Sequence, residues 1–161
     1  MQPYDPVAAK KFFFSARDRF LYHDVKAEYG EAAGVYRLHV TDGVGSFLPI
    51  PRLLELDRNG TVYIGTASKV NERLGNLQKA LSVAYDRKQW TASGHGVLDK
   101  LRTLPRFVER FPYESLCVTI EPLNVEPDEA GIIDPDHWSL ERRLLNEYRY
   151  WFGEYPTFNV H

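Results

Sequence analysis

Two tyrosines and an arginine have the residue types and the spacing of side chains that meet at a site. Tyr63 lies near the end of a β-branched and aromatic run that follows the turn signal Asn59-Gly60. Arg73 comes ten positions later, at the edge of an apolar stripe with helical spacing. Tyr36 belongs to an earlier alternating run. We therefore expect a strand tyrosine and an arginine one turn into the next helix to be directed at the same region.

Glu147 is the carboxylate that the helical pattern indicates. At about 100° per residue it falls on the same side of the last predicted helix as Leu144 and Trp151, so we expect it to point at the protein. A buried carboxylate without a partner is costly, so its charge must be compensated. A divalent cation such as Mg²⁺ or Mn²⁺ would do so, and so would an ion pair with Arg143 or Arg73.

These residues resemble the signature of the GIY-YIG nuclease superfamily. Tyr63-Ile64-Gly65 with Arg73 is similar to its second half, and Gly34-Val35-Tyr36 is similar to its first half. The resemblance covers 34–159, with an insertion at 42–60 that separates the two tyrosines by 27 positions. It implies a metal-dependent DNA endonuclease with an α+β fold, in which a small three-stranded, mainly antiparallel sheet is flanked by helices.

The end of the chain extends this resemblance and supplies the remaining roles. The family's metal-binding glutamate resembles Glu147, and its closing motif resembles Pro156-Thr157-Phe158-Asn159, with twelve positions from Glu147 to Asn159. Glu141, on the same predicted helix, does not fit that spacing. The resemblance implies that Asn159 supports the site and that Glu147 holds one Mg²⁺ or Mn²⁺ ion. A single carboxylate favours a one-metal mechanism.

By resemblance, a tyrosine activates water, Arg73 neutralises the phosphate, and the metal on Glu147 stabilises the departing oxygen. Either Tyr36 or Tyr63 can be the base. We expect neighbouring cations to lower its pKa from the ordinary value near 10.

The remaining candidates belong to the segments around the signature. Gly65, Lys69 and Asn159 are candidate substrate contacts, although Lys69 is more often a solvated lysine. His95 lies in a glycine-rich segment and resembles a histidine that some family members place near the scissile phosphate, but it is equally typical of a surface loop. Thr66 stands where the family often has a lysine. That departure, with the insertion, motivates an alternative: a non-catalytic module that keeps the fold and binds nucleic acid or protein.

Composition sets wider limits. The chain has 161 residues, 43% of them hydrophobic, which predicts a single globular domain spanning 1–161. The net charge of −2 is concentrated, because 121–136 holds six acidic residues and no base. DNA therefore remains a partner that the rest of the chain could attract. Double-strand cleavage would require a homodimer or a second event.

Cys117 is predicted to pack in a strand, and no membrane-spanning or leader pattern is present, so we expect a cytoplasmic protein.

The elements follow from local patterns. We expect an N-terminal helical extension at 7–22, a strand at 34–41 and a hairpin whose second strand ends at Gly65. A helix capped by Ser68 should follow, then a helix at 97–111 that Pro105 kinks or splits. A strand at 114–121 and a last helix from Asp134-Pro135 to Phe152 complete the chain.

Overall fold

The computed structural model describes residues 9–14, 20–86, 96–123 and 137–159. These residues form a mixed α+β fold, which confirms the predicted class. The elements, in chain order, are β1 Lys11–Phe13, α1 Leu21–Tyr29, β2 Gly34–Val40, β3 Ile50–Pro51, β4 Leu56–Asp57, β5 Thr61–Ala67, α2 Val70–Tyr85, α3 Val97–Thr103, α4 Pro105–Arg110, β6 Leu116–Pro122 and α5 His137–Phe152.

The main sheet has four antiparallel strands in the order β1-β6-β2-β5, whereas the sequence predicted three. The three predicted strands are β6, β2 and β5, and β1 is an additional edge strand beside β6. Strand β5 continues beyond Gly65 to Ala67, because Gly34 and Val35 of β2 still pair with it there. Tyr36 and Tyr63, one from each half of the signature, therefore lie on neighbouring strands, and Tyr36 pairs with Gly65.

Alternation along β2 separates the two faces of the sheet. Tyr36 and Leu38 join the larger buried cluster, which includes the apolar faces of α1 and α2. Val35 lies on the opposite face and packs with Ile64 and the buried side of α5. We call these the α2 face and the α5 face of the sheet. A side chain on one face is screened from the other by the strands themselves.

The N-terminal helix predicted at 7–22 is wrong at residues 9–14. Lys11–Phe13 is a strand that pairs with β6, and the first helix begins only at Leu21. Phe12 and Phe14 are both buried, which is the period of two expected of a strand. Pairing with β6 therefore outweighs the helix propensity of the neighbouring Ala and Lys residues. The rest of the predicted extension lies outside the described residues.

The 42–60 insertion is an elaboration docked on the sheet and on α5. Its strands β3 and β4 pair with each other, so the residues before Asp57 do not form the expected hairpin with β5. Asp57 is 1% exposed and accepts hydrogen bonds from the Thr61 amide at 2.9 Å and the Tyr148 hydroxyl at 2.7 Å. Arg52 donates to the Thr61 carbonyl at 2.6 Å. These contacts fix the insertion against β5 and α5.

The predictions for the helices that follow β5 hold with small changes. The apolar stripe from Val70 to Leu81 is buried in α2, but the helix begins after Lys69, and neither Ser68 nor Lys69 supplies a side-chain cap. Pro105 splits the next helix into α3 and α4, as predicted. The last helix ends at Phe152 before Gly153, whose φ is 77°. Its predicted start at 134–135 lies outside the described residues.

Two further expectations concern Cys117 and the membrane. Cys117 is fully buried in β6, as its alternating run predicted. Within the described residues, every helix is too short or too polar to cross a lipid bilayer.

Candidate active site

Tyr36, Tyr63 and Arg73 meet on the α2 face of the sheet. The two tyrosine rings have centroids 5.9 Å apart, and their hydroxyls are hydrogen-bonded to each other. Arg73 donates from Nε to the Tyr36 hydroxyl at 3.3 Å. Tyr36 is 0% exposed, whereas Tyr63 and Arg73 are only half-buried. The predicted convergence of these three residues is confirmed, and it leaves Tyr63 and Arg73 as the two groups that solvent or a substrate can reach.

Gly65 makes this arrangement possible. A Cβ atom at this position would lie 2.6 Å from the Tyr36 ring and 2.8 Å from the Tyr63 ring. Real side chains do not tolerate such distances, so the tyrosine pair requires glycine here. Gly65 is itself buried beneath Tyr36. It therefore shapes the tyrosine pair, and a direct contact with substrate stays a prediction.

Glu147 is exposed and points away from this cluster, so the prediction that it is directed at the protein core is wrong. Its side chain lines a cleft with Arg37 and Glu121. Arg37 lies two positions after Val35 on β2 and pairs with Ile64 of β5. All three side chains are therefore on the same side of the sheet, so this cleft belongs to the α5 face. The sheet stands between Glu147 and the tyrosines.

Glu141 is the carboxylate of α5 whose charge acts on the Tyr63 hydroxyl. Its Oε2 accepts hydrogen bonds from the Thr66 amide and the Thr66 hydroxyl, both at 3.2 Å. Thr66 pairs with Val35 and lies on the α5 face, at the end of β5 beyond Tyr63. Glu141 is therefore a second candidate for the metal-binding role that the sequence assigned to Glu147, and that assignment stays a prediction.

A helical projection of every residue of α5 would have placed Glu141 on the buried side of the helix. At about 100° per residue, the buried side chains of α5 lie within about 60° of Glu141, and Glu147 lies about 120° away. These neighbours are Leu144, Leu145, Tyr148 and Phe152. The sequence prediction used Leu140, Leu144 and Trp151 as markers, and Trp151 is 37% exposed. The fixed spacing to Asn159 then selected Glu147, whose role as a metal ligand stays a prediction.

Burial dominates the acidity of both tyrosines. It raises the pKa of Tyr36 well above 10.0, and the neighbouring Tyr63 raises it further. Burial also raises the pKa of Tyr63, with a second contribution from the Glu141 carboxylate. Arg73 acts in the opposite direction on both hydroxyls, but its effect is smaller. The prediction that neighbouring cations lower the tyrosine pKa is therefore wrong for the chain by itself.

Two of the predicted site residues lie apart from the cluster. Lys69 is exposed and forms ion pairs with Glu31 at 3.2 Å and with Glu72 at 3.4 Å. These contacts agree with the alternative that Lys69 is a solvated surface lysine. A contact between Lys69 and substrate remains a prediction. His95 lies outside the described residues.

Asn159 supports the site as predicted, through the backbone of β5. Its side chain accepts from the Ile64 amide at 2.8 Å and donates to the Ile64 carbonyl at 2.8 Å. Asn159 is 6% exposed, so these bonds are shielded from water. They hold the end of the chain against the strand between Tyr63 and Gly65.

We expect Asn159→Ala to lower the free energy of unfolding by about 2 to 4 kcal/mol, because it removes two hydrogen bonds and leaves buried polar groups of Ile64 unsatisfied. Urea denaturation measures this change. Asn76→Ala, at an exposed position of α2, is the control and should shift the free energy by less than about 0.5 kcal/mol. Equal shifts in the two variants would contradict the supporting role.

Glu141 is the residue that could hold a metal at this cluster. Within the described residues, no three His, Cys, Asp or Glu side chains gather into a metal-binding group. An ion held by Glu141 would complete its coordination with water and substrate oxygens. Mg²⁺ fits this description, because it keeps several waters and commonly uses one or two carboxylates with substrate phosphates.

Comparisons with known proteins do not place the chain in a family. No family model, curated protein or solved structure matches the chain. Function must therefore be argued from the chemistry of the site rather than from the fold.

Proposed function

We propose that the protein is a metal-dependent DNA endonuclease of the GIY-YIG type, acting through Tyr63, Arg73 and Glu141. The observation that carries this proposal is that a tyrosine pair and an arginine meet on the α2 face, with the charge of Glu141 acting on Tyr63. Tyr36 comes from β2, Tyr63 from β5, Arg73 from α2 and Glu141 from α5. An α+β fold with helices on both faces of an antiparallel sheet agrees with this assignment.

Hydrolysis of a phosphodiester requires a base for water, positive charge at the phosphate and stabilisation of the leaving oxygen. Tyr63 is the tyrosine accessible to water, so its phenolate form accepts the proton of the attacking water and becomes the neutral hydroxyl. Arg73 is half-exposed beside it and neutralises charge on the phosphate oxygens. The new bond joins the water oxygen to phosphorus, and the bond from phosphorus to the departing sugar oxygen breaks.

Tyr36 and Glu141 complete the arrangement. Tyr36 is fully buried and holds both Tyr63 and Arg73 through its hydroxyl, so it is a positioning residue. Glu141 would hold Mg²⁺ or Mn²⁺, which supplies positive charge for the departing oxygen when bound. Thr66 orients the Glu141 carboxylate from the end of β5.

A non-catalytic nucleic-acid-binding module is the second candidate, and Thr66 is the observation that favours it. Two donors of Thr66 engage Oε2 of Glu141, so this oxygen is already satisfied by the protein itself. The family more often has a lysine at this position, and Thr66 cannot supply its charge to a phosphate.

Cleavage of supercoiled plasmid DNA tests the proposal. Purified protein should nick the plasmid with Mg²⁺ or Mn²⁺, and excess EDTA should abolish nicking. Branched and single-stranded DNA are tested in parallel, because the site does not specify the shape of its substrate. Intact DNA in all three assays would contradict the nuclease, and retained DNA binding in that case would support the module.

A further inference from the structure

The outer side of α5 carries exposed arginines and exposed aromatic rings together. Tyr150 is 77% exposed and Trp151 is 37% exposed, although both are large aromatic residues that proteins usually cover. Arg142 and Arg143 are exposed on the same helix. These four residues line one shallow groove with Ser139, Asn146 and Glu147. We call it the α5 groove.

Helical geometry separates this groove from the part of α5 that faces the sheet. At about 100° per residue, Arg143 and Tyr150 lie about 160° and 180° from Glu141, which marks the buried side. The groove therefore uses the side of the helix that packing against the sheet leaves in solvent. Its residues are not needed for the buried cluster of Leu145, Tyr148 and Phe152.

The charge of the groove region differs in sign from that of the chain. Between positions 142 and 151 the exposed side of α5 has three arginines and one glutamate, while the whole chain has a net charge of −2. Glu147 is the opposing charge and lies in the groove itself. The remaining positive charge favours a polyanion as occupant.

The groove and Glu141 lie on the same helix but on opposite sides of it. Arg142 directly follows Glu141, which contacts Thr66 at the end of β5. With a rise of about 1.5 Å per residue, Tyr150 lies about 14 Å along the helix from Glu141. A nucleic-acid strand in the groove would therefore bind a surface separate from the tyrosine pair.

We propose that the α5 groove binds a single-stranded segment of nucleic acid, with Arg142 and Arg143 on the phosphates and Tyr150 and Trp151 stacked on bases. Stacking on protein rings requires bases that have left a duplex, and every base offers a ring face for it. The groove thus selects single-stranded or branched substrates over an intact duplex. This inference rests on the proposed function, because it gives the proposed nuclease a second surface for the same class of substrate.

The test is equilibrium binding of the full chain to a dye-labelled oligothymidylate in EDTA, read by fluorescence anisotropy. EDTA prevents metal-dependent cleavage, so binding is measured whether or not the protein is a nuclease. Tyr150→Ala should weaken binding about 5- to 150-fold, the range found when a stacking aromatic is removed. Tyr150→Phe keeps the ring and should retain the affinity of the original protein.

The arginines are tested by the salt dependence of the same binding. The double variant Arg142→Ala, Arg143→Ala should reduce the slope of log affinity against log salt by about 1.4, since each phosphate contact on a single strand contributes about 0.7. The control is Arg102→Ala, Arg106→Ala, which removes the same charge from exposed positions of α3 and α4. Its slope should stay near that of the original protein.

Four outcomes would overturn the proposal. These are absence of oligothymidylate binding, unchanged affinity in Tyr150→Ala, an equal loss on blunt duplex DNA, and self-association that Tyr150→Ala abolishes. The last would identify the groove as a protein interface. Specific binding through the groove without any plasmid nicking would support the groove while contradicting the nuclease, so the two proposals fail separately.

Discussion

Glu141→Gln is expected to lower the rate of metal-dependent plasmid nicking by about a thousandfold, the scale of losing a main source of charge stabilisation in the transition state. Glutamine keeps an oxygen that can accept from Thr66, so the local packing should persist. It lacks the negative charge that a Mg²⁺ or Mn²⁺ ion requires. The measurement is the initial nicking rate at saturating metal, with the thermal midpoint recorded to show that the variant is folded.

Two comparisons make this result specific. Glu109→Gln removes an exposed carboxylate of α4 and should leave the nicking rate within about twofold of the original. Glu147→Gln tests the alternative directly, because the spacing to Asn159 assigns the metal to that residue. Loss of nicking in Glu147→Gln together with full activity in Glu141→Gln would assign the metal to Glu147 and contradict the role proposed for Glu141.

Tyr63→Phe is expected to lower the nicking rate about 10²- to 10⁴-fold, which is the usual contribution of a general base. The phenyl ring preserves packing against Tyr36 and removes only the hydroxyl that water can reach. Tyr36→Phe should have a smaller effect, because the Tyr36 hydroxyl acts through its contacts with Tyr63 and Arg73. A larger loss in Tyr36→Phe than in Tyr63→Phe would contradict this division of roles.

The dependence of the rate on pH gives Tyr63 an independent signature. A base must be deprotonated to act, and burial and Glu141 raise the pKa of Tyr63 above 10.0. Below that pKa the phenolate fraction grows about tenfold per pH unit, so the nicking rate should rise with pH through the neutral and mildly alkaline range. Metal at Glu141 offsets part of the carboxylate charge and should shift the rise to lower pH. Tyr63→Phe should flatten the profile, and an unchanged profile would exclude Tyr63 as the titrating base.

Local patterns in the sequence predicted the parts of the site that depend on one strand or one helix. The alternating runs around Tyr36 and Tyr63 became neighbouring strands, and the apolar stripe of α2 positioned Arg73 beside them. These predictions hold because strand alternation and the helical repeat are set by each chain segment itself. Pro105 likewise splits its helix through its own missing amide hydrogen.

The tertiary structure decided the features that depend on which segments meet. Lys11–Phe13 is a strand because β6 offers it an edge, and the pKa of each tyrosine rises because other elements bury its hydroxyl. The contact between Glu141 and Thr66 was decided in the same way. The helical repeat of α5 sets which side chains share a face, but only the fold brings that face to Val35 and Ile64 and Glu141 to the end of β5. The sequence by itself determined the tyrosines, the arginine and their approach to one another, while the packing of α5 on the sheet determined which glutamate contacts β5.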